Sequence, residues 1–400
     1  MSQKDFSKID FAMLVVLLIV SLALAAQAFS FGGVDFGVYY AAGRVVLRGG
    51  NPYDFQQLAG EIVSSTGELN NPYYYAPWFT WSILPFSILP YAVARIAWAV
   101  ANFLLWFWGL FKLNKVIAWP PKGWRRWGVY ILATFLFAWT TWGFEQVGVL
   151  IFFLFTTLLL AIKNDRWDSA GIWLALLLFK PNITAIPVMA ITFWFLLRGK
   201  RRPVIVMFGV VAAMVLVSLI LSPGWYLALL QPDKLIGLSY TLDSSGSVEI
   251  VRYNTTLLDW LSAYGMNGTA SNMIYSAVIL MGIFAAAWVV RKSESIVEVA
   301  AVIILVNFAV IPYALFYDYP ALVITLFFVN TLFVSTKPSL IWAGRIMNGF
   351  VLLNLFIGNT ISFRYWMVIA LALFVLLGYY VNSRNLVGGQ RAEQAGETAG

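Results

Sequence analysis

Residues 11–30 read FAMLVVLLIVSLALAAQAFS, twenty positions without a charge, preceded by Lys4, Lys8 and Asp10. At about 1.5 Å per residue, a helix of this length spans a hydrocarbon core of roughly 30 Å. Blocks of the same kind recur at about 76–90, 91–111, 128–143, 147–162, 169–182, 183–197, 204–222, 272–290, 299–317, 319–336, 340–358 and 364–382. Hydrophobic residues make up 61% of the 400-residue chain and charged residues 11%, against about 25% charged in a soluble domain. Unpaired backbone groups are not tolerated in lipid, so these blocks should be helices. The roughly ten-residue alternating segments of a transmembrane barrel are absent from the sequence.

The expectation is an all-α polytopic membrane protein with about twelve transmembrane helices in one domain over residues 1–387. Residues 388–400 are small and polar and read as a disordered tail. Ala26-Gln27-Ala28 has the pattern of a signal-peptidase site, but the length of the block and the polytopic remainder favour a retained first helix. Leu89-Pro90 leaves open whether 76–111 crosses once or twice.

Topology follows from the basic residues. With the N-terminus in the cytoplasm, the clusters at Lys112 to Arg126, Lys163 and Arg166, Arg198 to Arg202, Arg291-Lys292, Lys337 with Arg345, and the tail all fall inside. The net charge of +8 is then a topology signal rather than a nucleic-acid footprint. Two long polar stretches, about 31–75 and 222–271, face outside. In the first, 38–47 and 55–64 have helical spacing and read as interfacial helices, separated by the breaker run Gly49-Gly50-Asn51-Pro52.

The chain has no cysteine and no histidine. Disulfides, thiol chemistry and histidine bases are therefore excluded. Nothing resembles a nucleotide-binding phosphate loop, which argues against ATP-driven transport. Any chemistry rests on carboxylates, Lys, Arg, Tyr and amides, and those near membrane depth are costly enough to draw attention. Asp35, just past the first helix, reads either as a general base or as the N-cap of the helix that follows. Lys180, before Pro181, reads as a phosphate ligand or as a snorkelling side chain. Arg252 matches phosphate geometry but also suits a solvated loop. Arg44, Glu145-Gln146 and Asp318 stand between a polar site and ordinary helix ends. No second carboxylate lies in a D-x-D spacing with Asp35.

The run Asp35-Phe36-Gly37-Val38-Tyr39-Tyr40-Ala41-Ala42-Gly43, followed by Gly49-Gly50-Asn51-Pro52-Tyr53, resembles the first outer loop of glycosyltransferase family 87. Tyr75-Ala76-Pro77-Trp78 with Leu84-Pro85 and Leu89-Pro90 resembles that family's Tyr-Pro-Pro element. Gln146, Ala170-Gly171, Lys180-Pro181, Asn254-Thr255-Thr256-Leu257 and Tyr317-Asp318-Tyr319 follow in the family's order. The likeness covers about residues 10–340. Departures are Ala76 for Pro, Glu145 for Gly before Gln146, and Thr255-Thr256 for Gln-Ser.

The resemblance implies a GT-C-type helix bundle that moves a sugar, mannose by analogy, from a polyprenyl-phosphate donor to a lipid or glycan hydroxyl. Transfer would occur on the outer face of the cell membrane, with inversion and with neither cofactor nor metal. Asp35 would be the base. Lys180 and Arg252 would stabilise the leaving phosphate. Tyr39, Tyr40, Arg44, Tyr75, Gln146, Asn254 and Asp318 would contact substrate. The rival readings are a transporter or flippase of lipid-linked sugars, which inverted repeats would favour, and a polysaccharide polymerase or a GT-C enzyme using another sugar. No internal repeat is evident. A polymerase would concentrate its polar residues in one large late loop, whereas here the Asp-bearing loop comes first.

Overall fold

The computed structural model describes residues 8–29, 34–67, 73–117, 124–229, 241–242, 248–249, 255–333, 338–357 and 365–380. The expected tail at 388–400 lies outside the described residues. The first helix, α1 (Lys8–Phe29), is followed by three short helices, α2 (Val34–Leu47), α3 (Phe55–Thr66) and α4 (Pro77–Ser87), and then the long α5 (Tyr91–Val116). Next come α6 (Trp124–Ala133), a π-helical turn (Thr134–Ala138) and α7 (Trp139–Gly143), which run on from one another. The middle of the chain forms α8 (Gly148–Lys163), α9 (Trp167–Leu176), α10 (Pro181–Leu197), α11 (Arg201–Leu221) and α12 (Trp225–Leu229). The last part holds α13 (Leu257–Ala263), α14 (Thr269–Lys292), α15 (Ile296–Val310), α16 (Leu322–Leu332), α17 (Pro338–Ile357) and α18 (Tyr365–Tyr380). One two-residue antiparallel pairing, Thr241–Leu242 with Val248–Glu249, departs from the all-helical expectation.

Among the described residues four helices are long and apolar enough to cross a membrane: Asp10–Phe29, Tyr91–Val116, Arg201–Leu221 and Thr269–Lys292. Six shorter apolar helices accompany them. The region 76–111 divides at Leu89-Pro90 into α4, eleven residues packed on α2, and α5, which alone of the two has spanning length. The expected blocks at 169–182 and 299–317 each end early. The first passes through a 3₁₀ turn at Leu177–Phe179, and the second stops at Val310.

Burial follows composition. A helix that is apolar all round belongs inside, and α8 is buried along nearly its whole length between α5, α9 and the 3₁₀ turn Phe316–Ala321. The equally apolar α15 is buried against α10, α14 and α16. The long helices α11 and α14 instead expose Ile205, Phe208, Ile220, Met281 and Phe284, the surface a hydrocarbon environment accepts. Caps fix the ends. Asp54 accepts from the backbone of Gln56 and Gln57 to start α3, and Gly67 closes it at φ 82°. Left-handed backbone of that kind costs glycine nothing.

A second, smaller core joins the outer helices. Phe36, Tyr39 and Ala42 of α2 pack with Leu58 and Ile62 of α3, Phe79 and Ile83 of α4, and Trp98 of α5. This layer presents the first turn of α2 to three backbone interruptions: the 144–147 turn between α7 and α8, the end of the Leu177–Phe179 turn at Lys180, and the Phe316–Ala321 turn. Irregular backbone at such depth is tolerated where it is enclosed by protein or lines a cavity. Close approach is built in at Gly148, where a Cβ would lie 2.2 Å from the Tyr317 carbonyl oxygen.

Candidate active site

The interruptions bring together side chains from four separate parts of the chain. Asp35 is the second residue of α2, so its side chain sits within the first turn. Its Oδ2 accepts a hydrogen bond from Gln146 Nε2 at 2.7 Å. Gln146 Oε1 in turn accepts from the Tyr75 hydroxyl at 2.7 Å and from Lys180 Nζ at 3.3 Å. Lys180 Nζ also donates to Asp318 Oδ1 at 2.5 Å. Asp318 is fully buried, and its other oxygen accepts from the Leu315 backbone at 3.0 Å. A continuous hydrogen-bonded line therefore runs Asp35, Gln146, Lys180, Asp318.

Aromatic rings wall this line. The Tyr39 and Tyr75 hydroxyls are 2.6 Å apart. Lys180 Nζ lies 5.3 Å from the ring centres of both Tyr75 and Tyr317, within cation–π range. The Tyr53 hydroxyl donates to the Tyr75 carbonyl at 2.6 Å and holds that wall in place.

The electrostatics separate the roles. A buried ammonium needs a counterion, and Asp318 provides it. Asp35 keeps part of its surface open. Burial pushes its pKa up to about 6, opposed by the Gln146 hydrogen bond and the nearby Lys180 charge. A carboxylate in that range is a competent proton acceptor at neutral pH. Lysine carries three N–H donors, and two of those on Lys180 are held by Asp318 and Gln146. Among the described residues no three acidic side chains gather closely enough to hold a metal ion.

Of the residues the sequence singled out, Asp35, Tyr39, Tyr75, Gln146, Lys180 and Asp318 meet at this point. Tyr40 and Arg44 do not join the line. The Tyr40 hydroxyl donates to the Leu89 carbonyl at 2.8 Å, and Arg44 pairs with Glu61 at 3.1 Å, so both tie α2 to its neighbours. Arg48 also pairs with Glu61. Arg252 and Asn254 lie outside the described residues. Glu145 turns away from Asp35 and pairs with Arg95 at 2.6 Å.

Two contributors escaped the sequence reading. Tyr317 was visible as the neighbour of Asp318, and Tyr53 as the end of the Asn51-Pro52-Tyr53 run. Neither position carried a signal that its side chain faces the site.

A family model for glycosyltransferase family 87 matches residues 73–312, more than half of the chain. The chain belongs to glycosyltransferase family 87. No curated protein and no solved structure matches. Membership makes it a membrane glycosyltransferase. The matched span holds Tyr75, Gln146 and Lys180, while Asp35 and Asp318 flank it on either side. The fold returns both flanking carboxylates to family-87 residues, Asp35 through Gln146 and Asp318 through Lys180.

Proposed function

We propose that this enzyme transfers a sugar from a polyprenyl-phosphate donor to a hydroxyl of a lipid or glycan acceptor at the outer face of the membrane, inverting the anomeric carbon. The observation that carries the reading is the hydrogen-bonded line from Asp35 to Lys180, which sets a base and a cation apart by one glutamine amide.

Asp35 takes the proton of the acceptor hydroxyl as its oxygen attacks the anomeric carbon from the face opposite the phosphate. The carbon–oxygen bond to phosphate breaks, its electron pair leaves with the polyprenyl phosphate, and Asp35 later returns the proton to solvent. The phosphate leaves as a stable anion, so no general acid is needed. Lys180 stabilises the charge that grows on it, held in aim by Asp318 and Gln146. Arg252 is a second cation proposed for that phosphate. Tyr39 and Tyr75, with Tyr317, bound the sugar, and Asn254 is placed among the substrate contacts. A positioned base is worth about 10²–10⁴ in rate, and one donor to a developing anion about 10²–10³. Mannose is the sugar that the family resemblance favours.

The test uses purified protein in lipid nanodiscs with radiolabelled polyprenyl-phosphate mannose and a membrane lipid extract. Transfer by the wild-type chain, absent in Asp35→Asn, supports the reading. Transfer that survives in Asp35→Asn removes Asp35 as the base.

A further inference from the structure

Beside the catalytic turn, a separate crevice lies between the C-terminal end of α1, the middle of α5 and the 144–147 turn. Ala25, Phe29, Trp98, Ala99, Asn102, Trp142 and Glu145 line it, and it encloses about 280 Å³ with its open mouth included. Three polar atoms on its wall have no hydrogen-bond partner: Asn102 Oδ1, Glu145 Oε2 and Trp142 Nε1. Their residues are 2%, 3% and 6% exposed. Each such atom, buried without a partner, costs roughly 1–3 kcal/mol, and three converging on one space mark a site that awaits an occupant.

The chemistry of the occupant follows from the three atoms. Two are acceptors and one is a donor. An anion would meet the oxygens of Asn102 and Glu145 and be repelled. An ammonium would leave the indole N–H unmatched, and the Glu145 charge is already balanced by Arg95 at 2.6 Å. A neutral group with two donors and one acceptor satisfies all three, and a pair of neighbouring hydroxyls has that pattern.

The mouth shows where the occupant comes from. Ala25, Phe29 and Ala99 at its rim are partly exposed. The surface around them carries Leu22, Ile96 and Val100 at 57%, 55% and 52% exposure, an apolar face suited to lipid rather than water. A hydroxyl-bearing headgroup on a lipid can reach this mouth from the outer leaflet, with its chains against α1 and α5. The aromatic walls suit the C–H faces of a sugar or polyol ring.

We propose that this crevice is a docking site for the vicinal hydroxyls of a neutral glycolipid headgroup, and that it holds the acceptor. The second half of this inference rests on the proposed transferase reading. The turn supports it, because Glu145 in the crevice and Gln146 on Asp35 are consecutive residues. Glu145 stands in left-handed backbone at φ 52°, with its carbonyl fixed by Trp98 Nε1 at 2.8 Å. That conformation sends the two side chains to different sites.

Binding is measured by native mass spectrometry of the purified protein with monoglucosyl diacylglycerol and with diacylglycerol of the same chains. Trp142→Phe deletes the donor and Asn102→Leu deletes an acceptor, both at near-constant shape, and Arg95–Glu145 stays intact in each. The glycolipid should bind more tightly than diacylglycerol, and each variant should weaken it about fivefold while leaving diacylglycerol unchanged. Equal binding of the two lipids, or glycolipid binding unaltered in both variants, overturns the site. Asp35→Asn should bind the glycolipid as the wild type does, which keeps this outcome separate from failure of the transfer reaction. Kinetics with the lipid extract then decide the second half. A raised acceptor KM in Trp142→Phe, with donor KM unchanged, assigns the acceptor. An unchanged acceptor KM despite lost glycolipid binding refutes that assignment and leaves a bystander lipid.

Discussion

Replacing Gln146 by Met keeps the length of the side chain and removes the N–H that Asp35 Oδ2 accepts at 2.7 Å. That bond stabilises the carboxylate and holds its pKa down against burial, which leaves it at about 6. A hydrogen bond to a charged group is worth about 1.5–3 kcal/mol, and one pKa unit corresponds to about 1.36 kcal/mol. Loss of the bond should therefore raise the Asp35 pKa by roughly one to two units, to about 7–8. A base works only when ionised, so activity falls as pH drops through that value. The acid limb of the transfer rate should move from about pH 6 to about 7–8 in Gln146→Met. At pH 6 the variant should lose about five- to fiftyfold, and near pH 9 it should approach the wild type to within about twofold. Transfer from radiolabelled donor in nanodiscs, followed from pH 5 to 9 with saturating acceptor extract, reads both limbs. A uniform loss at all pH values would reduce Gln146 to a packing residue. A limb that moved to lower pH would mean that Asp35 is not the titrating base.

Asp35→Asn should abolish transfer and yet leave the fold at least as stable at pH 8. The wild-type carboxylate is raised from 3.8 to about 6 by burial. Its ionised form thus weakens the fold above that pH, and thermal unfolding should show a gain of up to about 3 kcal/mol. Asp318→Leu leaves the Lys180 ammonium buried without its counterion and should cost about 3–5 kcal/mol. The double variant Lys180→Met, Asp318→Leu should recover most of that in thermal unfolding while remaining inactive. Gly148→Ala drives a methyl to 2.2 Å from the Tyr317 carbonyl, so it should push the Asp318 turn from α8 and lower both melting temperature and transfer. An alanine variant with wild-type activity would show that this contact does not set the site.

The membrane class and the two helices of the first outer stretch were legible because apolar block length and breaker residues act locally. The readings 38–47 and 55–64 correspond to α2 and α3. Span number was less legible. A block such as 76–111 looks uniform in composition, whereas its crossing is decided by whether Leu89-Pro90 starts a new helix with a different packing partner. Asp35 illustrates the limit at the site. Its residue type fits a cap as well as a base, and only the approach of Gln146, 111 residues away, separates the two. Lys180 was marked by the Pro181 break, but its counterion lies 138 residues on. Arg44 was drawn in by charge alone. Its partner Glu61 sits on the next helix, and the pair staples α2 to α3.

The placement of Gln146 between the two charges is what makes the line chemically useful. An Asp35 in direct contact with Lys180 would form an ion pair, and the opposite charge would hold its pKa low. Such a carboxylate is a weak base, and such an ammonium is already neutralised when phosphate arrives. The glutamine amide bonds to both, donating to Asp35 and accepting from Lys180. Asp318 supplies the compensation that Lys180 needs when no donor is bound. The base keeps a pKa near 6, and the cation stays charged and aimed. Both conditions are needed by a reaction that takes a proton at one end of a sugar and releases an anion at the other.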